Sequence, residues 1–270
     1  MTTNLGGASA PPLFPVTIVN KFNPTQVDDC LENIRINVHR GFPQWHTEDP
    51  KKGKFAIVGG GPSLDGTLED LKRLDVPGNR IVCLNDTLGH LLKNGITPWG
   101  MVFNEVDKWH PDAVLSPVKG VRYLVASMAH PSTYDMLEGF DVIQWHAYHG
   151  IGEGPIIGAV YPDAQLVGGG HNAALRSINL GIGMGYSDFH LVGMDSSFEG
   201  RTHAFTDRPE PECEIVCNGR TFKSQPRLVK QVMDFQTIAR TVGHLYSFRT
   251  YGDGLFQHAH RTEFPGMYDG

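Results

Sequence analysis

Long apolar runs, cysteine pairs and surplus positive charge are all scarce in this sequence of 270 residues, and each shortage argues against a class of protein. No stretch approaches the ~18–20 apolar residues of a membrane span, and no basic segment leads into an apolar run at the start. A soluble, cytoplasmic protein with no membrane partner is therefore expected. The four cysteines, Cys30, Cys83, Cys213 and Cys217, form no CxxC pair. That argues against a zinc ribbon or disulfide framework and for a reduced compartment. A net charge of -6 gives no basic field for gripping nucleic acid unaided, although a nucleic-acid acceptor stays open. Internal repeats and low-complexity tracts are also missing.

What is present is a 40% apolar chain long enough to bury one sizeable core. Residues 1–15 read as a loose arm and 16–52 as an N-terminal extension. The extension holds a short edge strand at Val16–Asn20, a helix over 26–39 with Val27, Leu31, Ile34 and Val38 on one face, and a linker from Gly41 to Lys54. From Phe55 onward short apolar runs alternate with helix-length segments. The pattern predicts an α/β, Rossmann-like fold: a mostly parallel sheet with helices on both faces, in a single domain over 53–251, followed by a tail over 252–270. Strands are expected at Phe55–Val58, Arg80–Leu84, Gly100–Phe103, Arg122–Ala126, Asp141–Trp145, Phe189–Val192 and Leu245–Arg249. Helices are expected at Leu64–Leu74, Thr87–Lys93, Ser132–Leu137, Asn172–Gly185 and Pro226–Val242. Asn218-Gly219 between Cys213–Cys217 and Arg220–Ser224 predicts a two-residue β-hairpin, a small flap on the domain.

Ligands of such sheets bind beyond the carboxyl ends of strands, where the chain order reverses. Three strand ends carry polar or glycine-rich turns. The first strand runs into Gly59-Gly60-Gly61-Pro62-Ser63, where backbone N–H groups at a helix start favour an anion and Ser63 adds a hydroxyl. A glycine turn also serves close helix packing, and a Walker lysine is missing. The second strand ends at Asn85-Asp86 and the third at Asn104-Glu105-Val106-Asp107. The amides of Asn85 and Asn104 suit a base or ribose edge, and Glu105 and Asp107 suit a metal ion or proton transfer; helix capping is the plainer alternative. A second cluster, Gly168-Gly169-Gly170-His171-Asn172, opens another helix, with His171 placed to donate to a phosphate. Beyond the strand at Phe189–Val192 come Asp195 and then His203, the general acid or base candidate on position and chemistry. Arg201 and Arg220 read as solvated charges that a phosphate could recruit. Cys213 and Cys217 read as ordinary thiols on a strand, and His258 and His260 as part of a mobile C-terminus.

The order of these motifs resembles the MptE-like and Maf family, whose members include archaeal 6-hydroxymethyl-dihydropterin pyrophosphokinases and flagellin-modifying glycosyltransferases. Its core is similar to that of bacterial CMP-sialyltransferases. The resemblance is collinear over about residues 53–206 and rests on several motifs: Gly-Gly-Gly-Pro-Ser-Leu-Asp, the strand-end Asn85, Gly-Gly-Gly-His-Asn and His-Leu-Val-Gly-Met-Asp. It implies a nucleotide held by Gly59, Gly61, Ser63 and Asn85, phosphate at Gly169 and Gly170, and acceptor chemistry at His203. Where many members have a single Asp after the third strand, this chain has Asn104-Glu105-Val106-Asp107. The leading expectation is glycosyl transfer from a nucleotide sugar, with His203 or Asp195 deprotonating an acceptor hydroxyl. The alternative is pyrophosphoryl transfer from a nucleoside triphosphate to a hydroxymethylpterin-like acceptor, with Mg2+ on Glu105, Asp107 or Asp195. A third reading is a nucleotide-binding scaffold without turnover. Mg2+ enters only with the second; the acceptor and any homo-oligomer stay open.

Overall fold

The structure is a computed structural model that describes residues 24–108, 117–205 and 213–264. The expected arm over 1–15 and strand at Val16–Asn20 lie outside the described residues. The strands are β1 (Lys54–Val58), β2 (Arg80–Leu84), β3 (Gly100–Phe103), β4 (Arg122–Ala126), β5 (Asp141–Ala147), β6 (Leu166–Val167), β7 (Asp188–Val192), β8 (Cys213–Cys217), β9 (Arg220–Ser224) and β10 (Ser247–Thr250). All but β8 and β9 form one parallel sheet in the order β10-β7-β1-β2-β3-β4-β5-β6. The helices are α1 (Pro24–Asn37), α2 (Leu68–Leu74), α3 (Thr87–Lys93), α4 (Pro131–Met136), α5 (Glu153–Val160), α6 (Ala173–Gly183), α7 (Pro226–Val242) and α8 (Leu255–Glu263).

A strand covered on both faces must be apolar throughout, and Phe55, Ala56, Ile57 and Val58 are all buried. Alternate side chains divide between two cores. Phe55 and Ile57 belong to the core that also holds Ile34, Ile157, Ile178, Phe235 and Phe256 on one side, whereas Ala56 and Val58 belong to that of Leu71, Leu88, Leu91 and Tyr134 on the other. The sheet therefore sits between α1, α5, α6, α7 and α8 and the smaller set α2, α3 and α4. From β1 the chain steps outward through β6, then returns to place β7 on the other side of β1, in register Lys54↔Asp188 to Val58↔Val192. The reversal point, where ligands of such sheets bind, is thus the gap between the carboxyl ends of β1 and β7.

The parallel sheet and the hairpin match the sequence expectation, with Asn218 and Gly219 both at positive φ. Several departures have local causes. The segment 41–54 is a strap rather than a linker: Trp45 N–H donates to Gln144 O at 2.8 Å, and Glu48 and Lys51 N–H donate to Gly183 and Gly185 O at 2.7 Å each. Its prolines and lysines hid that pairing. The helix expected from Leu64 starts as a 3-10 turn over Pro62–Thr67 before α2. Neither α5, with two glycines and a proline in eight residues, nor two-residue β6 carries a readable period. Residues 255–263 form α8 where a tail was expected. Leu255, Phe256, Ala259 and His260 share its buried face, and the His260 ring lies 4.5 Å from that of Phe235 and 4.2 Å from that of Phe256.

Candidate functional site

The glycine turn after β1 closes against β7 rather than standing open. Gly59 N–H donates to Val192 O at 2.9 Å and Gly61 N–H to Gly193 O at 2.8 Å. Ser63 N–H donates to Asp195 Oδ2 at 2.9 Å. Three of the amides expected to greet an anion are therefore committed within the protein. The approach is so close that a Cβ on Gly61 would lie 2.3 Å from Asp195 Oδ2 and one on Gly59 would lie 2.6 Å from Gly193 O. Asp195 is buried. Burial raises its pKa above the ordinary carboxylate value, and Ser63 opposes the rise. The Ser63 hydroxyl is enclosed beside the same carboxylate but outside hydrogen-bond geometry. Asp195 therefore latches the turn to the sheet and is not placed as a base facing solvent.

A cleft of about 520 Å³ opens beside this latch, within the range that holds small-molecule ligands. Gly59, Gly60, Gly61, Asn85, Asp86, Glu105, His171, Asn172 and His203 line it, together with Ala173, Ala174, Arg227 and Gln231. The helix start open to the cleft belongs to α6. Asn172 caps it, its side chain accepting from Leu175 N–H at 3.0 Å. The N–H groups of Ala173 and Ala174, in the first turn, have no intrahelical partner. Their dipole end and free donors suit a phosphate oxygen.

Two side-chain bonds tie this helix start to α7. His171 Nδ1 lies 2.7 Å from Asp234 Oδ2, and Asn172 Nδ2 donates to Gln231 Oε1 at 2.7 Å. Burial alone would raise the Asp234 carboxyl, but hydrogen bonds from His171 and Lys230 hold it below the ordinary value. On the opposite wall, His203 Nδ1 lies 3.1 Å from Thr202 Oγ1 and its ring sits against Gly60. Glu105 also lines the cleft, where loss of solvent around its carboxyl and then neighbouring Asp107 raise its pKa against the pull of Arg227.

Of the residues singled out in the sequence, Gly59, Gly60, Gly61, Asn85, Glu105, His171, Asn172 and His203 thus share one cleft. Ser63, Asn104, Asp107, Gly169, Gly170 and Asp195 are outside its lining. Gly169 and Gly170, at φ +86° and +69°, serve packing: a Cβ on them would meet Asn179 and Leu175 at 2.0 and 2.2 Å. Arg201 is bonded to Asp65 at 2.6 Å and Arg220 to Asp253 at 2.6 Å, so neither is a loose charge. Among the described residues no group of three or more His, Cys, Asp or Glu side chains could hold a metal ion. Sequence reasoning missed Arg227 and Asp234. Both lie on α7, more than 50 positions from the glycine cluster, and no local pattern links that helix to the strand ends.

Among solved structures, the Maf glycosyltransferase from Magnetospirillum magneticum AMB-1 shares the fold, with a TM-score of 0.62 and 16% identity over 88% of this chain. This chain spans only 38% of that protein's length. A mammalian sialyltransferase in complex with Gal-beta-1-3GalNAc-ortho-nitrophenol is more distant, at a TM-score of 0.42 and 10% identity over 86% of this chain and 81% of the other. No curated protein matches the chain. A family model described as 6-hydroxymethylpterin diphosphokinase MptE-like matches residues 28–201, more than half of the chain. The chain belongs to this MptE-like family.

Proposed function

We propose that the chain is a transferase acting on a nucleotide-type donor, and that the group it moves is a sugar. The observation that carries this reading is one cleft at the β1/β7 reversal point, bringing together the glycine turn, the strand-end Asn85 and the open first turn of α6. In this reading the donor's phosphate oxygens meet the Ala173 and Ala174 amides and Arg227, and its nucleoside lies toward Asn85. Preorganised donors aimed at the leaving phosphate would supply most of the rate, with the acceptor held in line. One of the cleft imidazoles, His171 or His203, would take the acceptor's proton. The fold shared with a Maf glycosyltransferase supports a sugar as the group moved.

The family description supports a second reading, pyrophosphoryl transfer to a hydroxymethylpterin-like acceptor. Mg2+ commonly takes one or two carboxylates and completes its shell with substrate phosphates and water. Glu105 and Asp107 offer such carboxylates: loss of solvent and then the charge of Asp107 raise Glu105, and a bound cation would oppose both. The ion would offset charge on the donor's phosphates.

The test is to incubate the protein with CMP-, UDP- and GDP-sugars and with ATP, with and without Mg2+, and follow nucleotide release. Release from a nucleotide sugar is expected. AMP release from ATP only with Mg2+ would give the second reading precedence. Binding without consumption would leave a scaffold, and no binding would sink all three.

A further inference from the structure

We propose that His171 is the proton acceptor of the site and that Asp234, on α7, is the residue that positions it. The inference rests on the transferase reading and chooses between its two imidazoles. His171 stands where the second glycine turn enters α6 and lines the cleft; its side chain is 16% exposed, whereas that of Asp234 is 9% exposed. An ionised carboxylate has no proton to give, so in the 2.7 Å contact with Asp234 Oδ2 the hydrogen is on Nδ1 of His171. In the neutral ring Nε2 then carries a lone pair, and no described residue engages it. This is the base-and-orienter arrangement that nucleophile activation requires.

The orienter is itself fixed. Lys230 Nζ lies 2.8 and 2.7 Å from the two Asp234 oxygens, and the neighbouring Asn172–Gln231 bond clamps the same two elements. His171 is therefore held from behind by α7 while its other face looks into the cleft beside the α6 amides.

The acceptor's hydroxyl oxygen bonds to the electrophilic atom of the transferred group and its proton passes to His171 Nε2. The bond from that atom to the donor's phosphate oxygen breaks, its electron pair leaving with the phosphate. The imidazolium so formed faces the Asp234 carboxylate, and the phosphate faces the N–H groups of Ala173 and Ala174.

The experiment compares wild type, His171→Gln, Asp234→Asn and His203→Gln. It follows nucleotide release from the CMP-, UDP- and GDP-sugar and ATP panel between about pH 5 and 9, with nucleotide affinity from calorimetry and folding from circular dichroism. His171→Gln should lower kcat about 100-fold with affinity changed less than about threefold. Asp234→Asn should lower it about tenfold and admit the Nε2–H tautomer of His171, since an amide, unlike a carboxylate, can donate to Nδ1. The other charged or titratable groups lining the cleft, Asp86, Glu105, His203 and Arg227, and Lys230 behind Asp234, stay in place in that variant.

A folded His171→Gln protein that keeps its kcat, or a kcat loss in His203→Gln alone, would overturn the inference. So would an Asp234→Asn protein that keeps both its kcat and the Nδ1–H tautomer of neutral His171. Long-range 1H–15N correlation gives a readout independent of turnover: Nδ1–H is expected on neutral His171, and Nε2–H would contradict it. If wild type consumes no donor, the transferase reading falls and takes this inference with it. If wild type turns over and His171→Gln does too, only the inference falls.

Discussion

At the scale of single residues, Gly61 and Asp195 show how a motif can look like a ligand cradle and serve as a joint. Gly61 has φ near -63°, a value any residue adopts, so its requirement for glycine comes from closeness to Asp195 and Gly193. Gly61→Ala should cost about 1–3 kcal/mol by overpacking, measured by urea unfolding; an unchanged midpoint would show that the latch yields freely. Asp195→Asn keeps an oxygen for the Ser63 amide and should be tolerated within about 1 kcal/mol at neutral pH, whereas Asp195→Ala should cost about 1–3 kcal/mol for an unsatisfied buried amide. Equal losses in both variants would mean that the charge matters rather than the acceptor. The sequence made Gly59–Ser63, Asn85, His171 and His203 conspicuous because glycine and polar residues at apolar strand ends are locally anomalous. It could not show that the amides of Gly59, Gly61 and Ser63 are already used, since their partners lie more than 130 positions away on the β7 side.

At the scale of elements, α6 is the part on which the site depends. Its cap, Asn172, accepts from Leu175 N–H and donates to Gln231. Asn172→Ala should lower stability by about 1–2 kcal/mol and weaken nucleotide binding, because it also loosens the helix start from α7. Retained affinity beside lost stability would separate the cap from the site. Strongly patterned elements were legible: β2, β3, β4, α3 and α7 have the bounds expected of them. Weakly patterned ones were not. The strap over 41–54 pairs by backbone alone, α5 holds glycines and a proline where a period would show, and α8 was masked by two histidines that read as polar.

For the whole molecule, the same two-sided burial that builds the sheet encloses several neutral histidines. His146 is pushed down to about 4 and His260 to about 3, both by burial, and His149 falls well below its ordinary value through burial and the charge of Arg176. Each is neutral when folded and takes up a proton more readily when unfolded. Their contribution to stability is present above the ordinary value of 6.5 and is lost as pH falls below it, toward about 4 for His146 and 3 for His260. Each histidine gives a slope of up to about 1.4 kcal/mol per pH unit. Urea unfolding at pH 7.5 and 5.5 should therefore show a fall of a few kcal/mol, and His260→Leu should flatten it. Equal stability at the two pH values would refute this account of the core. Global topology was the least legible level. The alternation of strands and helices showed a parallel sheet, but which strand sits beside β1 is a long-range choice without a local residue pattern.

The cleft at the β1/β7 reversal is expected to bind a nucleotide-type donor by its phosphates at the start of α6. Calorimetry of wild type and Ala173→Pro with CMP, CDP, UDP, GDP and ATP tests it directly. Proline at the first helical position preserves the helix and deletes only its N–H group, and Asn172 already has the extended backbone, φ -133° and ψ 170°, that precedes a proline. Binding of at least one nucleotide, weakened about tenfold in the folded variant as expected for a lost charge-assisted hydrogen bond, is the predicted result. No binding by wild type, or equal binding by both proteins, would contradict it.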